Sequence, residues 1–224
     1  MHIPDGYLSP QTYIPLYAVF AGAASLAIRK LKKTLTTKII PFLGISAAFS
    51  FLIMMFNIPA PGGSSGHAVG AALIALLFGP WVAFVSVSVA LIIQAFIFGD
   101  GGITAIGANC VNMALVMPFI AYGIFQAFRG KKKSLSRMSI SAFLAGYIGL
   151  NITAAITAIE FGIQPLIATS PEGTPLYMPF PIKYALPVMA TEHLLIFGIA
   201  EGLITALLFR YFYRWNRDLI YVLK

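Results

Sequence analysis

Three histidines, at positions 2, 67 and 193, are the only imidazole side chains in the sequence. His2 directly follows Met1, so the terminal amine, the His2 backbone nitrogen and the His2 Nδ1 atom can bind one metal ion together. The amine and amide close a five-membered chelate ring, and the amide and imidazole close a six-membered ring. Because the amide must lose its proton, the ion has to be strongly polarising, which favours Ni(II) and Cu(II) and, less readily, Co(II).

A fourth nitrogen would complete the square that three coplanar nitrogens leave open. His67 is the candidate, because it ends the segment PAPGGSSGH, where a glycine-rich loop enters a predicted helix. Four nitrogens in a plane suit Ni(II) and Cu(II), whereas Mg(II) and Ca(II) prefer oxygen ligands and Zn(II) prefers a tetrahedron. The sequence predicts a metal site built from Met1, His2 and His67. The alternative is that His2 is an incidental surface residue and His67 a helix-start residue.

Three more polar residues are candidates for holding such a site in place: Asn109, Glu192 and His193. Each lies within an apolar stretch, where polar and ionisable side chains are costly and often functional. Glu192 and His193 are adjacent, so a helix presents them on different faces. Hydrogen bonding between helices explains all three equally well.

The surrounding composition is that of a membrane protein. The 224 residues are 59% hydrophobic and 10% charged, and residues 39–99 contain no Asp, Glu, Lys or Arg. A soluble domain carries about 25% charged residues, so this run indicates several membrane spans. The net charge of +8 is explained by where the basic residues lie, and we expect no nucleic-acid partner. The single cysteine, Cys110, excludes an intrachain disulfide and a multi-cysteine zinc site.

Apolar stretches of about 20 residues, the length that crosses a bilayer, set the predicted spans. We predict seven, at residues 12–28, 38–56, 67–78, 81–98, 105–128, 138–161 and 182–213. A break at Gly79-Pro80 is required, because one helix over residues 67–98 would be about 48 Å long against a core of about 30 Å.

Of the fifteen basic residues, all but Lys183 fall into three groups that follow the first, fifth and seventh spans. They are Arg29, Lys30, Lys32, Lys33 and Lys38; Arg129, Lys131, Lys132, Lys133 and Arg137; and Arg210, Arg214, Arg217 and Lys224. Seven spans place all three groups on one side, which the positive-inside rule makes cytoplasmic. The N-terminus is then outside, and so is His67. The first residues do not resemble a signal peptide, and we expect Met1 to be retained.

Three segments resemble the CbiM/NikM family of substrate-binding membrane subunits of energy-coupling-factor (ECF) transporters for cobalt and nickel. They are MHIPDGYLSP, PGGSSGHAVGAALIALLFGP and TEHLLIFGIAEGLITALLFRYF, and the similarity runs along essentially the whole chain. The MHIPDG start resembles the nickel branch more than the cobalt branch. The resemblance implies a seven-helix fold, an N-terminal segment inserted into the bundle, and metal ligation by the Met1 amine, the His2 amide and imidazole, and the His67 imidazole.

Partners also follow from the resemblance. Family members work with a transmembrane coupling subunit, two cytoplasmic ATPases and often a small extra membrane subunit. This chain has no GxxxxGK[ST] nucleotide loop of its own. An autonomous ion-coupled channel or carrier, a membrane-embedded metalloenzyme and a vitamin-binding subunit of the same transporter class are the alternatives. HExxH is absent, and His193 has no histidine partner four residues away, which disfavours the enzyme.

We therefore predict an all-α integral membrane protein with seven transmembrane helices, its N-terminus outside and its C-terminus cytoplasmic. Residues 1–224 form one membrane domain, and residues 1–11 form an outer metal-binding segment. The predicted function is capture of Ni(II) or Co(II) for uptake across the plasma membrane of a prokaryote, with no cofactor beyond the transported ion and no enzymatic activity.

Overall fold

The computed structural model describes residues 1–32, 40–61, 64–130 and 134–221. The helices and strands, in chain order, are α1 (Pro10–Lys32), α2 (Ile40–Met54), β1 (Ile58–Pro59), β2 (Ser65–Gly66), α3 (Ala71–Phe78), α4 (Pro80–Ile93), α5 (Ile106–Asn109), α6 (Met117–Phe128), α7 (Leu135–Gly162), α8 (Gln164–Ile167), α9 (Ile182–Glu192) and α10 (Gly198–Trp215). Of the predicted basic positions, Lys33, Lys38, Lys131, Lys132, Lys133 and Lys224 lie outside the described residues, as do Gly62 and Gly63 of the glycine-rich loop.

Three π-helical turns join helices into longer rods. Gln94–Phe98 extends α4, Cys110–Val116 joins α5 to α6, and His193–Phe197 joins α9 to α10. A π turn places one extra residue in a helix and frequently marks a functional position.

Five of the resulting helices are long and apolar enough to cross a membrane. They are Pro10–Lys32, Pro80–Phe98, Ile106–Phe128, Leu135–Ile167 and Ile182–Trp215, and they coincide with the first, fourth, fifth, sixth and seventh predicted spans. The second predicted span is the shorter helix α2, whose 15 residues reach about 22 Å. The described part of the chain is therefore mainly helical, as expected for an all-α membrane protein, with the small antiparallel pair β1–β2 as an addition.

The third predicted span differs from expectation. Its helix begins at Ala71 instead of His67, and its 8 residues reach about 12 Å. Residues 71–77 are all buried, so α3 lies inside the bundle and has no face for lipid. The expected break is present: Gly79 has φ +96°, and Pro80 begins α4. Because four residues before α3 are not helical, His67 lies in an extended segment that enters the bundle.

Small residues allow the helices around α3 to pack closely. Cβ atoms added at Gly146 and Gly202 would lie 2.8 Å from Thr205 Oγ1 and from a Phe143 ring carbon, respectively. These glycines form the contact between α7 and α10. Close approach through small residues is the usual way in which membrane helices associate. The tight α7–α10 pair gives the residues on α10 fixed positions toward α3.

Candidate metal centre

Residues 1–9 are docked into the bundle by their backbone. Ile3 is completely buried, its N–H donates to Asn109 Oδ1 at 2.9 Å, and its carbonyl accepts from Asn109 Nδ2 at 3.1 Å. The Gly102 N–H donates to the same carbonyl at 2.8 Å. Ser9 is bound from the other side, because its N–H donates to Gln164 Oε1 at 2.9 Å. These bonds satisfy the backbone of a segment that would otherwise fray.

Asp5 adds a second anchor at the surface. Its carboxylate accepts hydrogen bonds from the Thr104 hydroxyl at 2.5 Å, from the Thr104 N–H at 2.8 Å and from the Ile103 N–H at 3.1 Å. These bonds, chiefly that from the Thr104 hydroxyl, lower the pKa of Asp5. The residue 99–104 loop and the N-terminal segment therefore form one folded unit.

The extended segment around His67 reaches the N-terminal segment from the opposite side. It follows a hairpin in which Ile58 pairs with Gly66 and Pro59 with Ser65. The His67 side chain is buried, with 5% of its surface exposed. The chain folds locally in this way because Gly66 has no side chain: a Cβ there would lie 2.6 Å from the Phe197 ring.

The imidazoles of His2 and His67 meet inside the protein. His2 Nδ1 lies 3.0 Å from His67 Nε2, with the ring centroids 4.8 Å apart. The other nitrogen of each ring faces an oxygen: His2 Nε2 lies 3.2 Å from Gln94 Oε1, and His67 Nδ1 lies 3.1 Å from the Ala68 carbonyl. A backbone carbonyl only accepts hydrogen bonds, so the proton of a neutral His67 is on Nδ1 and the lone pair of its Nε2 atom faces His2. When His2 carries its proton on Nε2, beside Gln94 Oε1, both nitrogens that meet present lone pairs.

In that protonation state the two lone pairs are 3.0 Å apart, and a cation between them would be stabilised by both. Burial, together with the positive charge of the Met1 amine, lowers the pKa of His2 to about 4, although Asp100 and Gln94 act in the opposite direction. Two nitrogens at right angles on one ion, each about 2.0–2.1 Å away, are about 2.9 Å apart, which matches the observed separation.

The charges around Met1 also suit a cation. Burial lowers the pKa of its amine, which favours the neutral, metal-binding form, while the charges of Asp100 and Glu192 act in the opposite direction. An Asp100 carboxylate oxygen lies 3.4 Å from His2 Nδ1, and the Asp100 side chain is 36% exposed, so a carboxylate lies at the outer edge of the site. Cationic metals are attracted to such an edge by Coulomb interaction.

Side chains alone do not complete a coordination sphere. Within residues 1–32, 40–61, 64–130 and 134–221, no three His, Cys, Asp or Glu side chains form a group able to hold a metal ion. Two imidazoles need further ligands, and the Met1 amine and His2 amide are the nitrogens that the chelate geometry supplies. Together with the two imidazoles, these nitrogens would make a nitrogen-rich site suited to Ni(II), Cu(II) or Co(II).

The three candidates for holding the site occupy different places. Asn109 contacts the backbone of Ile3, one residue from His2, and so positions the N-terminal segment. Glu192 accepts a hydrogen bond from the Ser64 hydroxyl at 2.5 Å and thereby contacts the hairpin. His193 lies within electrostatic reach of His67 and of the Met1 amine, but its Nδ1 bonds to the Met189 carbonyl of its own helix at 2.8 Å.

Sequence reasoning missed two residues that contact His2. Gln94 is fully buried at the start of a π turn, and Asp100 follows that turn. Gln94 is the one strongly polar side chain in the predicted span 81–98, and this isolated position could have identified it as a candidate site residue. Asp100 lies between the fourth and fifth predicted spans, and the sequence carries no comparable signal for it. A third residue, Glu201, also went unassigned, although it bonds to the backbone beyond His67.

Known proteins share both the sequence and the fold. The family model described as "CbiM: Cobalt uptake substrate-specific transmembrane region" matches residues 2–219. The fused nickel transport protein NikMN of Rhodobacter capsulatus is 48% identical over 221 residues, which cover 98% of this chain and 64% of that protein. The cobalt transport protein CbiM of Clostridium tetani is 32% identical over 166 residues, covering 73% of this chain and 66% of that protein.

A solved structure agrees with these relatives. The crystal structure of a truncated transition metal transporter superposes with a TM-score of 0.89 at 45% sequence identity, over 96% of this chain and 99% of that one. This chain spans just under two thirds of the length of the two sequence relatives. All three similar proteins are transporters, which confirms the prediction of a transport protein and not an enzyme.

Proposed function

Because the chain belongs to the CbiM family of substrate-specific transmembrane proteins for cobalt uptake, we propose that it is the metal-capturing membrane subunit of an ATP-driven ECF-type importer. In this proposal Ni(II), or Co(II), binds to the Met1 amine, the His2 amide and imidazole, and the His67 imidazole. The ion is the transported substrate.

One observation carries the proposal. His2 Nδ1 and His67 Nε2 face each other at 3.0 Å, and the other nitrogen of each ring lies beside an oxygen, that of the Gln94 side chain or of the Ala68 backbone. Oxygen partners on the outer ring nitrogens are typical of histidines that bind a metal ion.

Nickel is proposed over cobalt on two grounds. Three nitrogens of a terminal chelate lie in a plane, and a square of nitrogens is a geometry that Ni(II) prefers. The relative with 48% identity over 98% of this chain is named a nickel transport protein. Binding would release protons, because the backbone amide can act as a ligand only after it loses its proton.

The proposed membrane arrangement has seven crossings, with the N-terminus outside and the C-terminus in the cytoplasm of a prokaryotic cell. It is supported by the three basic groups, because they follow the first, fifth and seventh crossings and so lie on one side of the membrane. The buried α3 and the extended segment before it together act as the third crossing. Residues 1–224 form one membrane domain in this scheme, with residues 1–11 as its outer metal-binding segment.

The proposed partners are a transmembrane coupling subunit, two cytoplasmic ATPases and a small extra membrane subunit. The family model describes the substrate-specific component of a cobalt uptake system, and this supports the presence of partner subunits. ATP-driven motion of those subunits would open the bundle toward the cytoplasm and weaken the nitrogen square. An autonomous carrier, the alternative, would transport without ATPases.

A titration of purified protein with Ni(II) tests the proposal. Protein with an unblocked Met1 should bind one Ni(II) with the absorption band of square-planar nickel, and protein with two extra N-terminal residues should not. The His67→Ala variant should lose the fourth nitrogen and shift the band. Equal binding by the extended and native proteins would refute the terminal chelate, and a parallel Co(II) titration decides between the two metals.

A further inference from the structure

One face of the long helix Ile182–Trp215 contacts the segment that carries His67 at three successive points. Glu192 accepts from the Ser64 hydroxyl at 2.5 Å, the Phe197 ring fills the space beside Gly66, and Glu201 accepts backbone N–H groups at residues 69 and 70. Helix and segment therefore run side by side, with contacts in matching order.

The π turn His193–Phe197 is what aligns these contacts. The Gly198 N–H donates to the His193 carbonyl, five residues back, which places one extra residue in that turn. Glu192 and Phe197, five positions apart, are thereby brought to the same face, and Glu201 follows one α-helical turn later.

Glu201 makes the innermost of these contacts. It is completely buried, and its Oε2 atom accepts the N–H of Val69 at 2.7 Å and that of Gly70 at 3.0 Å. These N–H groups belong to the start of α3, where Gly70 has φ +74° and has no side chain that could cap the helix. The first N–H groups of a helix need acceptors from outside it, and Glu201 supplies one from another helix.

The same contact restrains His67. Val69 is two residues beyond His67, and its carbonyl accepts the Ser50 hydroxyl at 2.9 Å while its N–H is held by Glu201. With both polar groups of Val69 bound, the backbone leading to His67 is fixed between α2 and α10. Removing Glu201 would leave two buried N–H groups without their acceptor, so the segment would have to move to find water or another partner.

We propose that Glu201 is a positioning residue for His67, holding the fourth metal ligand in place by capping α3 across the helix interface. The inference rests on the proposed function, since it concerns the same metal site. Motion of the helix Ile182–Trp215 against α3 would move His67 away from His2 and open the nitrogen square.

The test is a Ni(II) titration, with the metal alone as probe, on purified full-length protein with an unblocked Met1. The variants are Glu201→Ala, Glu201→Gln, His67→Ala, the double variant of Glu201→Ala with His67→Ala, and Thr205→Ala as matched control. Thr205 is one turn further along α10, is also completely buried, and its hydroxyl has no hydrogen-bond partner among the described residues. Affinity and the nickel absorption band are recorded for each.

Glu201→Ala should weaken Ni(II) binding by about 10–100-fold, the usual effect of losing a residue that supports a metal ligand, and its band should shift toward that of His67→Ala. Glu201→Gln should retain most of the affinity, because its carbonyl can accept the same two N–H groups. Its amide nitrogen would take the place of Oε1, which has no partner among the described residues. Thr205→Ala should bind as the parent does.

The double variant separates positioning from general damage. If Glu201 acts through His67, adding Glu201→Ala to His67→Ala should weaken binding no further. Parent-like binding by Glu201→Ala, or an equal further loss in the double variant, would overturn the positioning role while leaving the metal site intact. Parent-like binding by His67→Ala would refute His67 as a ligand and this inference with it. If Glu201→Ala does not fold, Glu201→Met replaces it, because methionine fills the space without supplying an acceptor. Its Ni(II) affinity is then compared with and without His67→Ala in the same way.

Discussion

Replacing Gly102 with alanine would show whether the docked position of the N-terminal segment determines metal binding. The Gly102 N–H donates to the Ile3 carbonyl at 2.8 Å, and a Cβ built on Gly102 would lie 2.2 Å from the Asp5 backbone nitrogen and 2.6 Å from the Pro4 carbonyl carbon. Gly102 is not among the residues with positive φ, so the added methyl group is the whole perturbation. No proposed ligand is altered.

The size of the effect follows from these distances. Non-bonded heavy atoms rest about 3.5–4.0 Å apart, so Pro4 and Asp5 must move by roughly 1 Å or more to make room. Metal sites tolerate about 0.2 Å in their ligand distances, and His2 is two residues from Pro4. We therefore expect the affinity for Ni(II) to fall by about 10–100-fold, as when a supporting residue of a metal site is lost.

The assay is a Ni(II) titration of purified Gly102→Ala with an unblocked Met1, read from the nickel absorption band. Gly123→Ala is the matched control, because a Cβ at Gly123 meets no atom within 4 Å. Both variants should have the parent's helix content by circular dichroism. If folded Gly102→Ala binds Ni(II) as tightly as Gly123→Ala, the docking of residues 1–9 does not set the ligand positions, and the reasoning fails.

Three further changes test other parts of the site. Asn109→Ala removes both hydrogen bonds to the Ile3 backbone and should loosen the N-terminal segment by about 1–3 kcal/mol, seen as faster hydrogen exchange of the Ile3 amide. Because hydrogen bonds lower the pKa of Asp5, its contribution to docking is complete above the unfolded value of 3.8 and is lost as the pH falls through the lower folded value. Protection of the Ile3 amide should therefore drop below about pH 4 in the parent but show no such step in Asp5→Asn. His193→Ala should leave the nickel band unchanged while His67→Ala shifts it, and the opposite result would move the site toward His193.

Much of the fold could be predicted from the sequence, because hydropathy along the chain is a local property. The predicted span 81–98 corresponds to the helix Pro80–Phe98, and the predicted break at Gly79-Pro80 is present. The third span was predicted less well. An apolar run cannot by itself distinguish a membrane-crossing helix from a short helix buried on all sides, such as α3, which follows an extended entry.

The candidate ligands were also visible in the sequence. A histidine directly after Met1 has a chelating geometry that depends only on covalent bonds, and His67 stood out because the chain has three histidines. Their meeting at 3.0 Å agrees with that prediction, and their role as ligands stays a proposal.

What the tertiary structure alone decided is how those ligands are held. Gln94 contacts His2 across 92 positions of sequence, Asn109 contacts Ile3 across 106, and Glu201 contacts Val69 across 132. Such contacts depend on which helices pack together and on where a π turn shifts a side chain from one face to another. Neither can be read from a local sequence pattern. Hydropathy and residue type were therefore enough to predict the helices and the candidate ligands, whereas the geometry of those ligands depends on packing.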